Sequence, residues 1–273
     1  MKKYFSFVKE ILLTLLFDFN RIWSLALFKY KVTYRGMFLN SFWRIASPFI
    51  QIGVYWLVFG IGIRNGNPVN GVPYLSWLTC GITPWLILNS GILKSSDAIY
   101  SRIQVLVKSK VPAYIMPISQ VFAVILENIW TVALLFVIVL ANGCKMQIQT
   151  ISILYYMFCT VCFLSSISLI TSALVVMARD FQMVIQMCLR LLFFVTPVFW
   201  DPNESSMPRL LTIVFKFNPF AYIISGFRES ILFGKWFFDS IEEITIFWIV
   251  VIALFFIGAL LQKKISKNLL DFL

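Results

Sequence analysis

Glu127 and Arg190 each fall deep inside a long apolar stretch of this 273-residue chain, and any chemistry at membrane depth starts from them. Counted from the inner end of its stretch, each lies roughly 14 Å deep at the rise of an α-helix. Ionisable groups in such a place are costly unless they pair or face an interior cavity. The matched depth predicts an ion pair between the two, or a substrate-facing role for both.

A second group, Arg35 and Arg44 with Lys29 and Lys31, precedes and enters the first apolar stretch. Guanidinium forks suit bidentate contacts with phosphate oxygens. The same cations also serve simply to fix topology and touch anionic lipid heads, and the sequence leaves both readings open.

Other chemistry is missing its parts. The chain has no histidine, so His-based catalysis and the commonest metal ligand are absent. Cys159 and Cys162 form a C-x-x-C inside an apolar run, with no second pair to complete a zinc site; they read as packing residues, and no metal site is expected. Gly234-Lys235 is followed by Trp236 and lacks the upstream glycine of a phosphate loop, so ATP is not expected to bind here. The inner acids Glu10, Asp18, Asp97, Asp180 and Asp271 are scattered along the chain, which disfavours a metal-dependent transferase acting on a polyprenyl lipid. No catalytic residue is assigned.

The elements that must position these residues are membrane helices. Apolar residues make up 60% of the chain and charged ones 13%, far from the composition of a soluble domain. The 28 Phe and nine Trp suit packing and interfacial anchoring. A net charge of +11 could suggest nucleic acid, but the cations sit between apolar segments rather than on one face, so no nucleic-acid partner is expected.

The expected fold is an all-α integral membrane protein with six transmembrane helices, near Leu39 to Ile63, Tyr74 to Leu93, Pro117 to Ala141, Ile151 to Ala178, Phe181 to Trp200 and Ile244 to Leu261. Residues 1–28 read as an N-terminal amphipathic interfacial helix, with residues 29–273 as the transmembrane domain. Sixteen Lys and Arg fall on the inner side and six on the outer, which places both termini in the cytoplasm. Between Asp201 and Glu243, two apolar pieces split by Asn218-Pro219 read as short re-entrant outer helices before the last span. The inner loop from Lys94 to Pro112 has an amphipathic pattern, with Ile99, Ile103, Leu106 and Val107 apolar. It fits an anchored loop or a partner-docking helix.

Several segments, in order and spacing, resemble the ABC-2 type membrane subunits that export polysaccharides and teichoic acids. They are Tyr34-Arg35-Gly36, Trp43 and Pro48, Val58-Phe59-Gly60, Tyr74 with Gly81 and Pro84-Trp85, and the loop Val105 to Pro112. In the C-terminal half they are Arg179-Asp180, Thr196-Pro197-Val198, and Asn218-Pro219-Phe220 through Phe227-Arg228-Glu229. Within that group the balance looks closest to the teichoic acid translocation permeases, with O-antigen and capsule exporters next. Ser47 stands where the pattern has Asn, and Arg44 and Arg190 add charge to it.

The resemblance implies a permease moving a lipid-linked polymer, carried on a polyprenyl pyrophosphate, outward across a bacterial plasma membrane. It implies two copies of the chain in contact with membrane lipid. Each copy would be docked to a cytoplasmic ABC ATPase that binds ATP and Mg, with no cofactor in this chain. Arg35, Arg44, Glu127 and Arg190 then become substrate-path candidates, and Arg102, Leu106, Lys108 and Lys110 ATPase-coupling candidates. Pro219, Phe220, Tyr222 and Arg228 become outer-gate candidates. A drug exporter of the same superfamily is the nearest alternative.

Overall fold

A computed structural model describes residues 17–33, 40–108, 111–201 and 217–267, with residues 8, 10, 11, 13–15 and 215. Arg35, Lys110 and the first of the two outer pieces lie wholly or mostly outside these residues. The described chain is helical: α1 Phe19–Thr33, α2 Asn40–Tyr55, α3 Tyr74–Ser96, α4 Ile103–Lys108, α5 Ile115–Glu127, α6 Ile129–Ala141, α7 Ile153–Met177, α8 Phe181–Val195, α9 Pro219–Leu232 and α10 Ile241–Lys267. Four helical stretches among them are long and apolar enough to cross a bilayer: Phe42–Ile63, Ile115–Ala141, Ile148–Met177 and Ile241–Ser266.

The predicted second span falls on α3, a 23-residue helix that is not among those four because it is too polar. Ser76, Thr79, Thr83, Ser95 and Ser96 are all buried along it. Its neighbours supply the reason: α2, α5, α6, α7, α8 and α9 all pack against it, so its hydroxyls meet protein rather than lipid. Thr79 and Ser90 return theirs to the carbonyls one turn back, at 2.7 Å in each case. Small residues permit the close approach, since a Cβ on Gly91 would sit 2.7 Å from the Leu164 side chain.

The predicted fifth span is shorter than expected. Helix α8 ends at Val195, not Trp200, because Thr196 precedes Pro197 and takes an extended backbone (φ −73°, ψ 146°). The third apolar stretch is two helices in series. At Asn128 (φ −91°, ψ 4°) the chain leaves helical geometry for one residue, and the Asn128 side-chain amide donates to the Val124 carbonyl at 2.9 Å. The first stretch passes from α2 into a π-helix over Trp56–Ile63.

In the N-terminal segment, Asp18 interrupts the helical run, and α1 continues past residue 28 to Thr33. Ile22, Ala26 and Lys29 are its buried face, turned onto α5. Val8, Ile11 and Ile22 are buried, while Phe19 and Trp23 are exposed and pack edge-on against Phe122. The second outer piece is α9. Asn218 caps it by accepting from the Phe220 amide at 3.0 Å, with Pro219 at the first helical position. Most of α9 is buried against α3 and α7.

Candidate functional site

Two cavities share one side chain, Lys94, near the C-terminal end of α3. The first, of about 520 Å³, is bounded by α1, the end of α3, the turn that follows it, and the start of α8. Lys29, Lys94, Arg102 and Arg179 line it against a single carboxylate, Asp97. Of these, Lys94 is shared with Glu127, so Arg102 and Arg179 are the cations that face Asp97.

Each of these groups is held by its surroundings. The Lys29 ammonium is buried and donates to the Met116 carbonyl at 2.9 Å and the Ser119 hydroxyl at 3.0 Å. Burial, with the charge of Arg102 adding to it, pushes its pKa down to about 7. Asp97 is raised by burial, against the hydrogen bond from Ser101 and the charge of Arg179. The Arg179 guanidinium stands 5.3 Å from the centre of the Tyr100 ring. Ser96 donates to the Gln182 side-chain oxygen at 2.8 Å, which ties the start of α8 to the end of α3.

The second cavity, of about 240 Å³, lies farther along α3 toward its middle and is called the deeper one. Trp43, Arg44, Ser47 and Gln51 come to it from α2, and Asn89, Ser90 and Lys94 from α3. Glu127, Asn128 and Thr131 reach it from the α5–α6 junction. The one-residue break at Asn128 is what sets Glu127 and Asn128 side by side on this wall. Helical spacing does the same for Ser90 with Lys94, and for Asn128 with Thr131.

The predicted pair between Glu127 and Arg190 is corrected. Glu127 is ion-paired with Lys94, while Arg190 is exposed on α8. Depth alone could not settle the partner, because rotation about each helix axis decides which groups face one another. A lysine at the inner end of α3 reaches back to Glu127 through its four-carbon stem. The two partners differ sharply: the Lys94 side chain is 42% exposed and that of Glu127 3%. Arg44 does line the deeper cavity and donates to the Tyr30 hydroxyl at 2.6 Å.

In the inner loop, Ile99, Ile103 and Leu106 are buried in a cluster with Met116, Val176 and Ile265. Leu106 therefore holds the loop to its own membrane domain. Arg102 lines the first cavity, and Ser101, Gln104 and Lys108 are exposed.

The outer-gate candidates lie on α9, Pro219 half-buried at its start. Phe220, Tyr222 and Arg228 are buried. Arg228 lies 3.6 Å from the Trp77 ring centre and donates to the Trp77, Pro197 and Val198 carbonyls. A Cβ on Gly81 would collide with this guanidinium, so α3 carries glycine there. Arg228 also lines a third cavity of about 410 Å³ with Asn70, Asp201 and Glu229. Among the described residues no cluster of His, Cys, Asp and Glu is arranged to hold a metal ion.

Sequence reasoning had located Arg44, Glu127 and Lys29 but missed the polar walls of the deeper cavity. Their trace is a set of Asn, Gln, Ser and Thr at one-turn spacing within otherwise apolar stretches.

Comparison with known proteins agrees with this membrane architecture. Residues 20–233 match the model of the family described as ABC-2 type transporter. The chain is 24% identical over 198 residues to the O-antigen export system permease protein RfbA of Myxococcus xanthus, covering 72% of this chain and 75% of the relative. It is 23% identical over 244 residues to the protein of the same description from Klebsiella pneumoniae, covering 89% and 91%. With most of its length matched in this way, the chain belongs to the ABC-2 type transporter family, whose members are membrane transport subunits that work with a cytoplasmic ATPase.

Proposed function

We propose that this chain is the permease subunit of an ATP-driven exporter that moves a lipid-linked cell-surface polymer outward across a bacterial plasma membrane. Two copies form the path, six spans each, with both termini inside, and each copy is docked to one ATP-binding partner. Helices α3 and α8 supply the second and fifth crossings, one shielded by protein and the other short. The polymer is of O-antigen or capsule type, the class named for the two relatives, with wall teichoic acid as the variant that the sequence motifs favour.

The observation that carries this reading is the pair of cavities joined at Lys94. Arg102 and Arg179 beside Asp97, with the buried Lys29 and the Glu127-paired Lys94 near them, suit the phosphate groups of a polyprenyl carrier, and the polar walls beyond suit what is attached to it. Stimulated ATP hydrolysis by the permease–ATPase complex in lipid nanodiscs tests it. The chain alone hydrolyses no ATP, and polyprenyl diphosphate raises the rate of the complex. In the Arg102→Gln, Arg179→Gln double variant, half-maximal stimulation requires at least tenfold more of the lipid. Unchanged stimulation in a correctly inserted double variant overturns the reading.

A further inference from the structure

We propose that Lys94 is a partner-exchange switch: a diphosphate headgroup arriving in the first cavity draws the Lys94 ammonium away from Glu127, and loss of that contact frees the α5–α6 joint. This rests on the polymer-export reading and adds to it how arrival of the carrier is sensed.

The charge balance of the first cavity gives the motive. Arg102 and Arg179 against Asp97 leave a surplus of one positive charge. Lys29 lines the same wall, but its ammonium is buried and turned onto the Met116 carbonyl and the Ser119 hydroxyl of α5. A diphosphate carries more negative charge than that surplus balances, and its oxygens are strong acceptors for cationic donors. The remaining cation among the lining residues is Lys94.

Lys94 is placed to change partners. It lines both cavities and its side chain is 42% exposed, so the ammonium can turn from one to the other on its flexible stem while α3 stays in place. Glu127 cannot follow. It is the last residue of α5, its side chain is 3% exposed, and its Oε1 is buried with no hydrogen-bond partner among the described residues. The carboxylate therefore depends on Lys94, at Oε2, for its countercharge. Arg44, the other cation on the wall of the deeper cavity, is turned to α1, where it donates to the Tyr30 hydroxyl and lies 4.8 Å from the ring centre.

The exchange has a consequence in each direction. With Lys94 withdrawn, an uncompensated buried charge sits one residue before Asn128, where the chain leaves helical geometry, and a change of angle between α5 and α6 relieves it. Asn128 and Thr131 lie on the wall of the deeper cavity, so that change reshapes the wall. In the other direction Glu127 draws Lys94 back, which weakens the hold on the headgroup and lets the carrier leave.

The test uses the full-length chain in phosphatidylcholine nanodiscs and a hydrophobic carbodiimide, which modifies membrane-buried carboxyl groups that have lost a cationic partner; mass spectrometry reads the Glu127 peptide. In the wild-type chain, saturating polyprenyl diphosphate raises modification of Glu127 about tenfold. Glu127→Gln, in which Lys94 has no carboxylate to leave, binds the same lipid about tenfold more tightly. Inorganic pyrophosphate reproduces neither effect at the concentration that saturates the lipid, and equal potency overturns the lipid headgroup as the trigger. Unchanged or reduced modification of Glu127 overturns the switch. So does unchanged or weaker binding by a Glu127→Gln chain that keeps its helical circular dichroism. Mere removal of one negative charge would tighten binding while wild-type Glu127 stayed unmodified, so the labelling separates the two. The parent reading fails separately: its headgroup site falls, and the switch with it, if the wild-type chain does not bind polyprenyl diphosphate or binds it no better than the Arg102→Gln, Arg179→Gln double variant. If the lipid binds through those arginines while Glu127 stays unmodified, the switch alone falls.

Discussion

Helices α2 and α3 face each other across the deeper cavity, and they solve the problem of a membrane solvent in opposite ways. The first span exposes Phe42, Phe49, Ile50, Val54, Leu57 and Ile61 on its outer side. Nearly all of α3 is buried, and its buried set includes five serines and threonines and two glycines. One helix is apolar because lipid touches it. The other carries hydroxyls because other helices stand between it and the lipid, and it depends on their fit. Hydropathy therefore measures contact with lipid, and a helix surrounded by other helices can carry hydroxyls that a lipid-facing one cannot.

The largest effect that sharpens this contrast is at Arg228, which clamps α3 from outside. Arg228→Met leaves three buried carbonyls without their donor and costs about 3–5 kcal/mol. Site-resolved alkylation of Cys80, buried on α3 next to Gly81, should accelerate at least tenfold in detergent. Unchanged protection of Cys80 would show that α3 does not depend on the clamp.

The next tests the asymmetry of the ion pair. Lys94→Met strands a carboxylate with almost no access to water and destabilises by about 3 kcal/mol. Glu127→Gln leaves a half-exposed ammonium that can rehydrate, and costs about 1 kcal/mol. Thermal unfolding of the two variants in the same micelle decides the order, and the reverse order would contradict the burial difference.

A smaller effect follows from Lys29, the buried cation where α1 meets α5. Its folded pKa, about 7, is below the usual lysine value, so the unfolded chain binds more protons between pH 7 and the ordinary lysine range. Stability of this contact therefore rises with pH across that window and is lowest where Lys29 is charged in both states. Relative to wild type, Lys29→Met should flatten the rise in unfolding temperature between pH 6.5 and 9, provided the variant keeps its helical circular dichroism. A wild-type profile without slope would remove the argument. The smallest effect belongs to the lipid face: Phe49→Leu on α2 should change stability by less than about 0.5 kcal/mol. The same scale of change on α3, Gly91→Ala, pushes a Cβ into Leu164 and should cost more.

Four of the six predicted spans, the first, third, fourth and sixth, were legible because lipid-facing residues announce themselves by run length. Helix α3 was legible too, since Tyr74 and Trp77 to Leu93 remain apolar enough around their hydroxyls. What the sequence did not carry was rotation. Glu127 and Arg190 were matched in depth, yet Lys94 reaches the carboxylate and Arg190 turns outward. Leu106 looked like a docking residue, and its amphipathic helix indeed has an apolar face, but that face turns onto Met116 and Val176. A pattern identifies the face of a helix, and tertiary packing decides what covers it. Thr196-Pro197 shows the converse, a local signal strong enough to have marked the end of α8 directly.

The Arg228 clamp also bears on how the chain is made. Its partners, Trp77 and the Pro197–Val198 carbonyls, precede it by 151, 31 and 30 residues. During synthesis the acceptors enter the membrane well before the guanidinium that will bind them. Until α9 arrives, the outer end of α3 and the segment after α8 hold their exposed carbonyls without that donor, and a contact of such long sequence separation closes late. Chains truncated before α9 should therefore insert every earlier span yet remain open substrates for membrane quality-control proteases, with resistance acquired in one step when residues beyond Arg228 clear the insertion machinery.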